Sequence, residues 1–413
     1  MKYGCIGEHL KHSFSKEIHG LIADYDYVIR ELRPEEVDGF MREADFLAIN
    51  VTIPYKETVI PYLSYIDEGA RLIGAVNTIV NRDGKLYGYN TDFFGMSALA
   101  RRAGIDFKDK KVLILGTGGT SKTAYAVAKA HGAKEVVKAS RNPANGTVSY
   151  TDVYNMHTNA EIIINTTPLG MYPNIMGKPI ELSKFKKLCG VLDAVYNPLN
   201  TPLILEAKRL GIPADGGLYM LVAQGVRASE IFLDTTYSPL LLDEVYARIE
   251  KDKKNIVLIG MPASGKTTVG KILAQKLGRE IIDTDDLIVD TTGKCIPDIF
   301  RDSGEAEFRR IECDAVAFAS AKSAVIISTG GGVILNSENT ENLSKNGRIY
   351  FIDRPLGMLI PTGDRPTAST REAIEKRFAE RYDIYKASAD VCIDGSGSAD
   401  EVADAILNDF LQA

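Results

Sequence analysis

The sequence predicts an α/β protein of two or three domains with parallel sheets, on three observations. Its 413 residues exceed what one ordinary core accommodates. Short apolar runs alternate with amphipathic stretches of helix length along the whole chain, the pattern of strands joined by helical crossovers. Two of those runs, 112–115 and 256–259, each lead into a glycine-rich loop and then a helical pattern. The two loops differ in spacing, so they mark separate units and not an internal repeat.

Composition narrows the class. The chain is 45% apolar and 25% charged, as globular proteins are. A net charge of -6 offers no overall positive field to attract a phosphate backbone, which disfavours a nucleic-acid binder. Five scattered cysteines (Cys5, Cys189, Cys295, Cys313, Cys392) form no CxxC, which argues for a reducing compartment and against a zinc ribbon or disulfide framework. Met1 to Gly7 reads as a first strand and not as a signal peptide, and no apolar run approaches the ~20 residues of a membrane helix. The expected location is the cytoplasm, with small molecules as partners and neither nucleic acid nor membrane.

Four polar segments precede the first glycine loop. His12-Ser13-Phe14-Ser15 offers two hydroxyls one residue apart, able to hold a carboxylate. Asn50-Val51-Thr52-Ile53-Pro54-Tyr55-Lys56 puts an amide, a hydroxyl and an amine in one short loop. Gly74-Ala75-Val76-Asn77-Thr78 and Gly88-Tyr89-Asn90-Thr91-Asp92 add further amides and a carboxylate. Taken singly, each reads as a turn or cap. The loop itself, Gly116-Thr117-Gly118-Gly119, opens a helical pattern from Ser121 to Ala130. Glycines there let the backbone turn tightly and approach a pyrophosphate, whose charge meets the helix N-terminus. The next strand-like run, 135–139, ends in Ser140-Arg141-Asn142. An acidic residue at that point suits the ribose hydroxyls of NAD, whereas an arginine suits the 2′-phosphate of NADP, so Arg141 favours NADP.

The charged stretch 248–255 separates a helical pattern from the run 256–259 and reads as the boundary of a fused second unit. The loop that follows, Gly260-Met261-Pro262-Ala263-Ser264-Gly265-Lys266-Thr267, is a full G-x-x-x-x-G-K-T phosphate loop ahead of a helix pattern at 268–277. Its amides cradle phosphates, Lys266 reaches the β and γ oxygens, and the Thr267 hydroxyl ligates Mg²⁺. The next strand ends in Ile281-Ile282-Asp283-Thr284-Asp285. The two carboxylates are expected on opposite sides of an extended chain, one serving the metal and the other a substrate.

Together, the segments of the first part resemble the shikimate dehydrogenase family over essentially all of residues 1–245. The match continues in Ile164-Asn165-Thr166-Thr167-Pro168-Leu169-Gly170-Met171, in Asp193-Ala194-Val195-Tyr196-Asn197-Pro198 and in Gly217-Leu218-Tyr219-Met220-Leu221-Val222-Ala223-Gln224. The resemblance implies that Ser13 and Ser15 bind the substrate carboxylate. Asn50, Thr52, Asn77 and Gln224 would hold its ring hydroxyls or orient the catalytic pair, Lys56 and Asp92, and Tyr196 would join them at the substrate. Gly116, Thr117, Gly118, Gly119, Thr120, Ser140, Arg141 and Gly217 would hold the cofactor. Reducing a ketone by hydride creates an alkoxide, which a nearby ammonium stabilises and protonates. A carboxylate beside the lysine fixes its position and favours its charged form. With lysine in the polarising role no metal is needed, and His9, His12 and His19 lack companion ligands. The family's NTDG motif reads Asn90-Thr91-Asp92-Phe93 here, with Phe93 where a glycine can adopt a positive φ.

Residues 255–413 resemble shikimate kinase. Besides the phosphate loop, the resemblance rests on Glu307-Phe308-Arg309-Arg310-Ile311-Glu312, Ile327-Ser328-Thr329-Gly330-Gly331-Gly332, Asp364-Arg365-Pro366 and Glu380-Arg381-Tyr382. It implies that Gly260, Ala263, Ser264, Gly265, Lys266, Thr267 and Thr268 hold ATP, and that Asp283 assists Mg²⁺ through water. Asp285 would contact the substrate hydroxyls and accept a proton, while Arg309 and Arg381 clamp the carboxylate. Gly330, Gly331 and Gly332 would line the pocket, and Arg365 would close on the phosphates from a lid. Pro361 stands where the family commonly has an arginine near the adenine.

The expected plan is therefore a three-layer α/β substrate domain (1–95 and 218–247), a Rossmann-like NADP-binding domain (96–217), a linker (248–254) and a P-loop kinase α/β domain with a parallel sheet (255–413). The expected function is bifunctional: NADPH-dependent reduction of 3-dehydroshikimate to shikimate, then MgATP-dependent phosphorylation to shikimate 3-phosphate. Two rivals stand beside it. An NAD-dependent quinate/shikimate dehydrogenase fused to a related small-polyol kinase is disfavoured by Arg141. A non-catalytic metabolite-sensing regulator is disfavoured by the joint presence of Lys56, Asp92, Lys266, Thr267, Asp283 and Asp285.

Overall fold

Continuous runs of Val, Ile and Leu form strands buried on both faces, as parallel sheets covered by helices require. The computed structural model describes residues 1–8, 10, 13–144, 146–360 and 370–412. It divides into two units, Met1–Ile249 and Glu250–Ala413.

The first unit holds two sheets. The N-terminal one is built from β1 (Tyr3–Gly7), α1 (Ser15–Ile22), β2 (Tyr27–Glu31), α2 (Pro34–Glu43), β3 (Ala48–Val51), β4 (Tyr65–Ile66), α3 (Glu68–Ile73), β5 (Thr78–Arg82) and β6 (Lys85–Tyr89). Its strand order is β2-β1-β3-β5-β6-β4. The expectation of parallel strands throughout is corrected here: β3 with β5 and β5 with β6 run antiparallel. The cause is local. Asp83 and Gly84, at φ 52° and 80°, make a two-residue turn with both central residues left-handed, and so short a connection joins only antiparallel strands.

The second sheet follows α4 (Asp92–Arg102) and comprises β7 (Lys111–Leu115), α5 (Gly119–Ala130), β8 (Glu135–Ala139), α6 (Tyr150–Met156), β9 (Ile162–Asn165), β10 (Gly190–Asp193), α7 (Pro202–Arg209) and β11 (Ala214–Asp215). The order β11-β10-β9-β7-β8 is entirely parallel. Strand order reverses between β7 and β9, so the glycine loop after β7 opens at the switch point where such sheets bind ligands. Two further helices follow, α8 (Leu218–Leu233) and α9 (Pro239–Lys253), the second of which runs past the unit's last residue, Ile249. Gly95 lets α4 and α8 close up, since a Cβ there would lie 2.6 Å from the Met220 carbonyl oxygen. Met96, Leu99, Val222 and Val226 fill the core beside it.

The expected division at 95/96 falls inside α4, and residues 248–253 of the expected linker lie in the last turns of α9. Glu250 and Lys254 pair at 3.2 Å with helical i,i+4 spacing, so a stretch polar enough for a linker equally suits an exposed helix end.

The second unit runs β12 (Asn255–Ile259), α10 (Lys266–Leu277), β13 (Ile281–Asp283), α11 (Thr284–Thr292), α12 (Ile296–Ala321), β14 (Ile326–Ser328), α13 (Ser337–Asn346), β15 (Gly347–Asp353), α14 (Arg371–Ser388), β16 (Val391–Asp394) and α15 (Ala399–Gln412). Its five-stranded sheet, β13-β14-β12-β15-β16, is wholly parallel. Alternate residues of β12 feed opposite cores: Val257 and Ile259 one, Ile256 and Leu258 the other. Among the described residues no helix is long and apolar enough to cross a membrane.

Candidate active sites

In the first unit, Lys56 follows β3 and Asp92 opens α4, and the fold brings them together: Lys56 Nζ lies 2.5 Å from Asp92 Oδ2. Both side chains are largely withdrawn from water, 14% and 9% exposed, so the pair is only weakly screened. Asn77 holds the carboxylate from the other side, donating from Nδ2 to Asp92 Oδ1 at 3.0 Å and to Thr91 Oγ1 at 3.0 Å. The Thr91 amide donates back to Asn77 Oδ1 at 2.8 Å, and the Asp92 amide to Asn90 Oδ1 at 3.0 Å. Phe93 sits in the helix that Asp92 begins and takes no positive φ, so the departure from the family glycine leaves this turn intact.

Asn50 is buried one layer behind. Its Nδ2 donates to the Asn77 carbonyl and to Thr78 Oγ1, and its Oδ1 accepts from the Tyr27 hydroxyl at 2.7 Å. Those partners make Asn50 a support for Asn77. Gln224, on α8, accepts from Thr91 Oγ1 at 3.4 Å. Thr52 is half-buried in the Lys56 loop, where its carbonyl accepts from the Tyr55 amide at 2.9 Å. Ser13 Oγ donates to Ser15 Oγ at 3.1 Å at the start of α1, which packs on α8 through Ile18 and Gly225. Tyr196 meets Phe14 edge-on at 5.2 Å, and burial pushes its phenol up to about 12. His19 is buried and stacks on Tyr27, whereas His9 and His12 lie outside the described residues.

The first glycine loop adjoins this pair. A Cβ on Gly119 would sit 3.9 Å from Lys56 Cδ. Gly116 takes φ 106° and leaves no room for a side chain, its Cβ position being 2.8 Å from Thr166 Oγ1. A Cβ on Gly118 would meet nothing within 4 Å, so that stretch of backbone is open to an approaching group. This open glycine cradle at a helix N-terminus fits a pyrophosphate. Thr117 is exposed, Thr120 half-buried, and Ser140 turns the chain by bonding both Asn142 N and O. Arg141 beside it is exposed. Gly217 is tightly packed, since a Cβ there would lie 2.3 Å from the Ala194 carbonyl oxygen.

In the second unit, the phosphate loop joins β12 to α10. Ala263 and Gly265 take left-handed φ of 65° and 93°, turning successive amides into one concavity. Lys266 is buried and donates from Nζ to the Gly260 and Met261 carbonyls at 2.9 and 3.0 Å. The buried Ser264 hydroxyl has no hydrogen-bond partner among the described residues, and Thr268 is exposed. Thr267 Oγ1 donates to Asp283 Oδ2 at 2.8 Å, and Ser328 Oγ to the same oxygen at 2.9 Å. A hydroxyl and a carboxylate side by side form a hard oxygen set that suits Mg²⁺.

The expectation for Asp283 and Asp285 fails twice. Residues two apart on a strand share a face, and the strand ends at Asp283, whose Oδ1 caps α11 by accepting the Asp285 amide at 3.0 Å. Asp285 therefore leaves the sheet on the first turn of a helix. It lines a cleft of about 270 Å³ with Arg309, Glu312, Gly330 and Arg381. Its Oδ1 comes within 2.6 Å of where a Cβ on Gly330 would stand. Gly332 is crossed by the Arg309 guanidinium, with Nη1 2.2 Å from the Cβ position. Arg381, itself buried, donates from Nη1 to the Gly331 carbonyl at 2.9 Å. Arg365 and Pro361 lie outside the described residues.

Several contributors were not assigned from sequence. Glu312 is buried and accepts from Arg309 Nη1 at 2.9 Å; burial pushes its carboxyl up, opposed by the Arg309 charge. Its i,i+3 spacing from Arg309 was the available signal. Thr91 and Ser328 sit inside quoted motifs, but only the fold shows which atoms they reach. Tyr27 carries no local signal, because its partner Asn50 is 23 residues away.

The family model described as shikimate dehydrogenase substrate binding domain matches residues 5–79, and that described as shikimate kinase matches residues 262–411. A shikimate dehydrogenase (NADP(+)) of Clostridium beijerinckii is 34% identical over 267 residues, 61% of this chain and 99% of that protein. The crystal structure of shikimate dehydrogenase 1 from Peptoclostridium difficile superposes with TM-score 0.56 at 34% identity, covering 60% of this chain and 98% of its own. Shikimate 5-dehydrogenase from Thermus thermophilus, solved in complex with NADP(H) and shikimate, gives TM-score 0.54 at 26% identity, covering 60% and 99%.

Proposed function

The chain belongs to the shikimate dehydrogenase family and carries a shikimate kinase domain behind it, an oxidoreductase and a phosphotransferase of the shikimate pathway, and from that premise we propose that it reduces 3-dehydroshikimate to shikimate with NADPH and phosphorylates shikimate to shikimate 3-phosphate with MgATP. The observation that carries the reading is the Lys56–Asp92 pair beside the first glycine loop, matched by an arginine-walled cleft beside the second.

When bound, NADPH supplies a hydride and MgATP a phosphoryl group. The chain's own residues do the rest. Ser13 and Ser15 bind the substrate carboxylate. Asn50 supports Asn77, and Asn77 holds Asp92 Oδ1, so that Asp92 Oδ2 fixes Lys56 Nζ. Lys56 Nζ donates the proton that the substrate oxygen takes up as the ketone becomes an alcohol. Gly116, Gly118 and Gly119 hold the dinucleotide pyrophosphate, and Arg141 selects the 2′-phosphate. In the second unit, Arg309 and Arg381 clamp the carboxylate of shikimate and Asp285 accepts the proton of the attacking hydroxyl. Lys266, now on the Gly260 and Met261 carbonyls, would hold the β and γ phosphate oxygens, and Thr267, with Asp283 through water, would hold Mg²⁺. The domain assignment proposed with this reading keeps residues 255–413 as the kinase and the first unit as substrate and dinucleotide domains.

One coupled assay tests it. Purified chain receives 3-dehydroshikimate, NADPH and MgATP, and NADPH loss and ADP formation are followed together. Lys56→Ala is expected to abolish reduction yet phosphorylate added shikimate, and Lys266→Ala to do the reverse. A folded variant that loses both partial reactions would overturn the two-site reading.

A further inference from the structure

The Gly331 carbonyl lies between two donors from one helix. Arg381 Nη1 donates to it at 2.9 Å, and the Tyr385 hydroxyl donates to the same oxygen. The two residues are four apart on α14 and so share a face. Tyr385 is fully buried, its ring stacked on Phe351 of β15 with centroids 5.1 Å apart and planes at 8°, which leaves the hydroxyl little freedom. On its other side, the Gly331 backbone presses on the phosphate loop: a Cβ there would lie 2.8 Å from Pro262 Cδ. One peptide thus touches the cleft arginine, the nucleotide loop and a buried phenol.

We propose that Tyr385 is a positioning residue for the phosphoryl acceptor: by sharing the Gly331 oxygen with Arg381, it sets both the glycine run and the guanidinium against the hydroxy-acid. The inference rests on the reading of the second unit as a shikimate kinase. Without the hydroxyl, the Phe351 stack survives but Arg381 is left, among the described residues, as the remaining donor to Gly331 O. The guanidinium can then recentre on that oxygen and turn from a carboxylate in the cleft. The effect falls on acceptor binding, because the group that shares the Gly331 oxygen with Tyr385 is the cleft arginine.

The test uses the full chain with shikimate and MgATP, without dinucleotide, comparing wild type, Tyr385→Phe and Tyr382→Phe. Tyr382 is the control: it lies on the same helix and also donates a hydrogen bond, but to Asp353 Oδ2 at 2.9 Å. Tyr385→Phe is expected to raise KM for shikimate about fivefold, the loss of one ordinary hydrogen bond. Its kcat and KM for MgATP should stay within twofold of wild type, as should every constant of Tyr382→Phe. Amide hydrogen exchange of the peptide containing Gly330, Gly331 and Gly332 should quicken only in Tyr385→Phe. An unchanged shikimate KM, or a parallel loss in kcat and both KM values, would overturn the proposal. Should wild type fail to phosphorylate shikimate, the proposed function falls by itself, and the exchange measurement decides the positioning role: equal exchange in the two variants refutes it.

Discussion

Asp92 has donors on both sides of its carboxylate, and that fixes what Asp92→Asn must do. Oδ2 takes Lys56 Nζ at 2.5 Å and Oδ1 takes Asn77 Nδ2 at 3.0 Å. A carboxamide has the same shape but only one acceptor oxygen, so its NH₂ must face either the ammonium or the Asn77 amide. With the Lys56 side chain 14% exposed, little water is at hand to relieve the mismatch. The variant loses one charge-assisted hydrogen bond, about 1.5–3 kcal/mol. If that bond acts on the transition state, the reduction rate falls about tenfold to over a hundredfold, at about 1.4 kcal/mol per factor of ten. The assay is the initial rate of NADPH loss with 3-dehydroshikimate, run beside phosphorylation of added shikimate by the same preparation. Phosphorylation should stay within twofold, which excludes global unfolding. A reduction rate within twofold of wild type would refute the claim that the carboxylate sets the lysine, and equal losses in both reactions would show a defect of folding.

Gly332→Ala places a Cβ 2.2 Å from Arg309 Nη1 and must displace the guanidinium from Glu312. KM for shikimate in the phosphoryl transfer should rise about tenfold or more, from the loss of a charge-assisted bond, with reduction unaffected; steady-state kinetics of both reactions checks it. Burial pushes the His19 imidazole from 6.5 down to about 3, so the folded chain keeps it neutral where the unfolded chain takes up a proton. Its contribution to stability is therefore complete above 6.5 and is lost as pH falls from there towards 3. The loss amounts to about 2 kcal/mol at roughly pH 5. Thermal denaturation at a pH above 6.5 and at roughly pH 5 should show a smaller acid shift for His19→Gln than for wild type; equal shifts would count against the burial argument.

The elements that carry the glycine loops were legible because their signals are local. The runs before Gly116 and Gly260 are strands, and the loops open α5 and α10. The antiparallel hairpin also had a local signal, Asp83-Gly84 between two apolar runs, but the surrounding α/β alternation masked it. The end of α9 was illegible for the opposite reason: alternating charges describe a linker and an exposed helix turn equally well.

The sequence by itself determined which groups this protein has: two glycine loops of different spacing, a lysine, carboxylates and arginines in short recognisable segments, and a chain long enough for separate cores. Those are properties of residue type and spacing, which need no folding to exist. Only the tertiary structure decided which groups meet. Lys56 reaches Asp92 across 36 residues and Arg381 reaches Gly331 across 50. Asp285 left the sheet because Asp283 capped a helix instead of extending the strand. Such pairings follow from strand order, helix starts and burial, where removal from water strengthens a contact and fixes its geometry, and no local pattern specifies them.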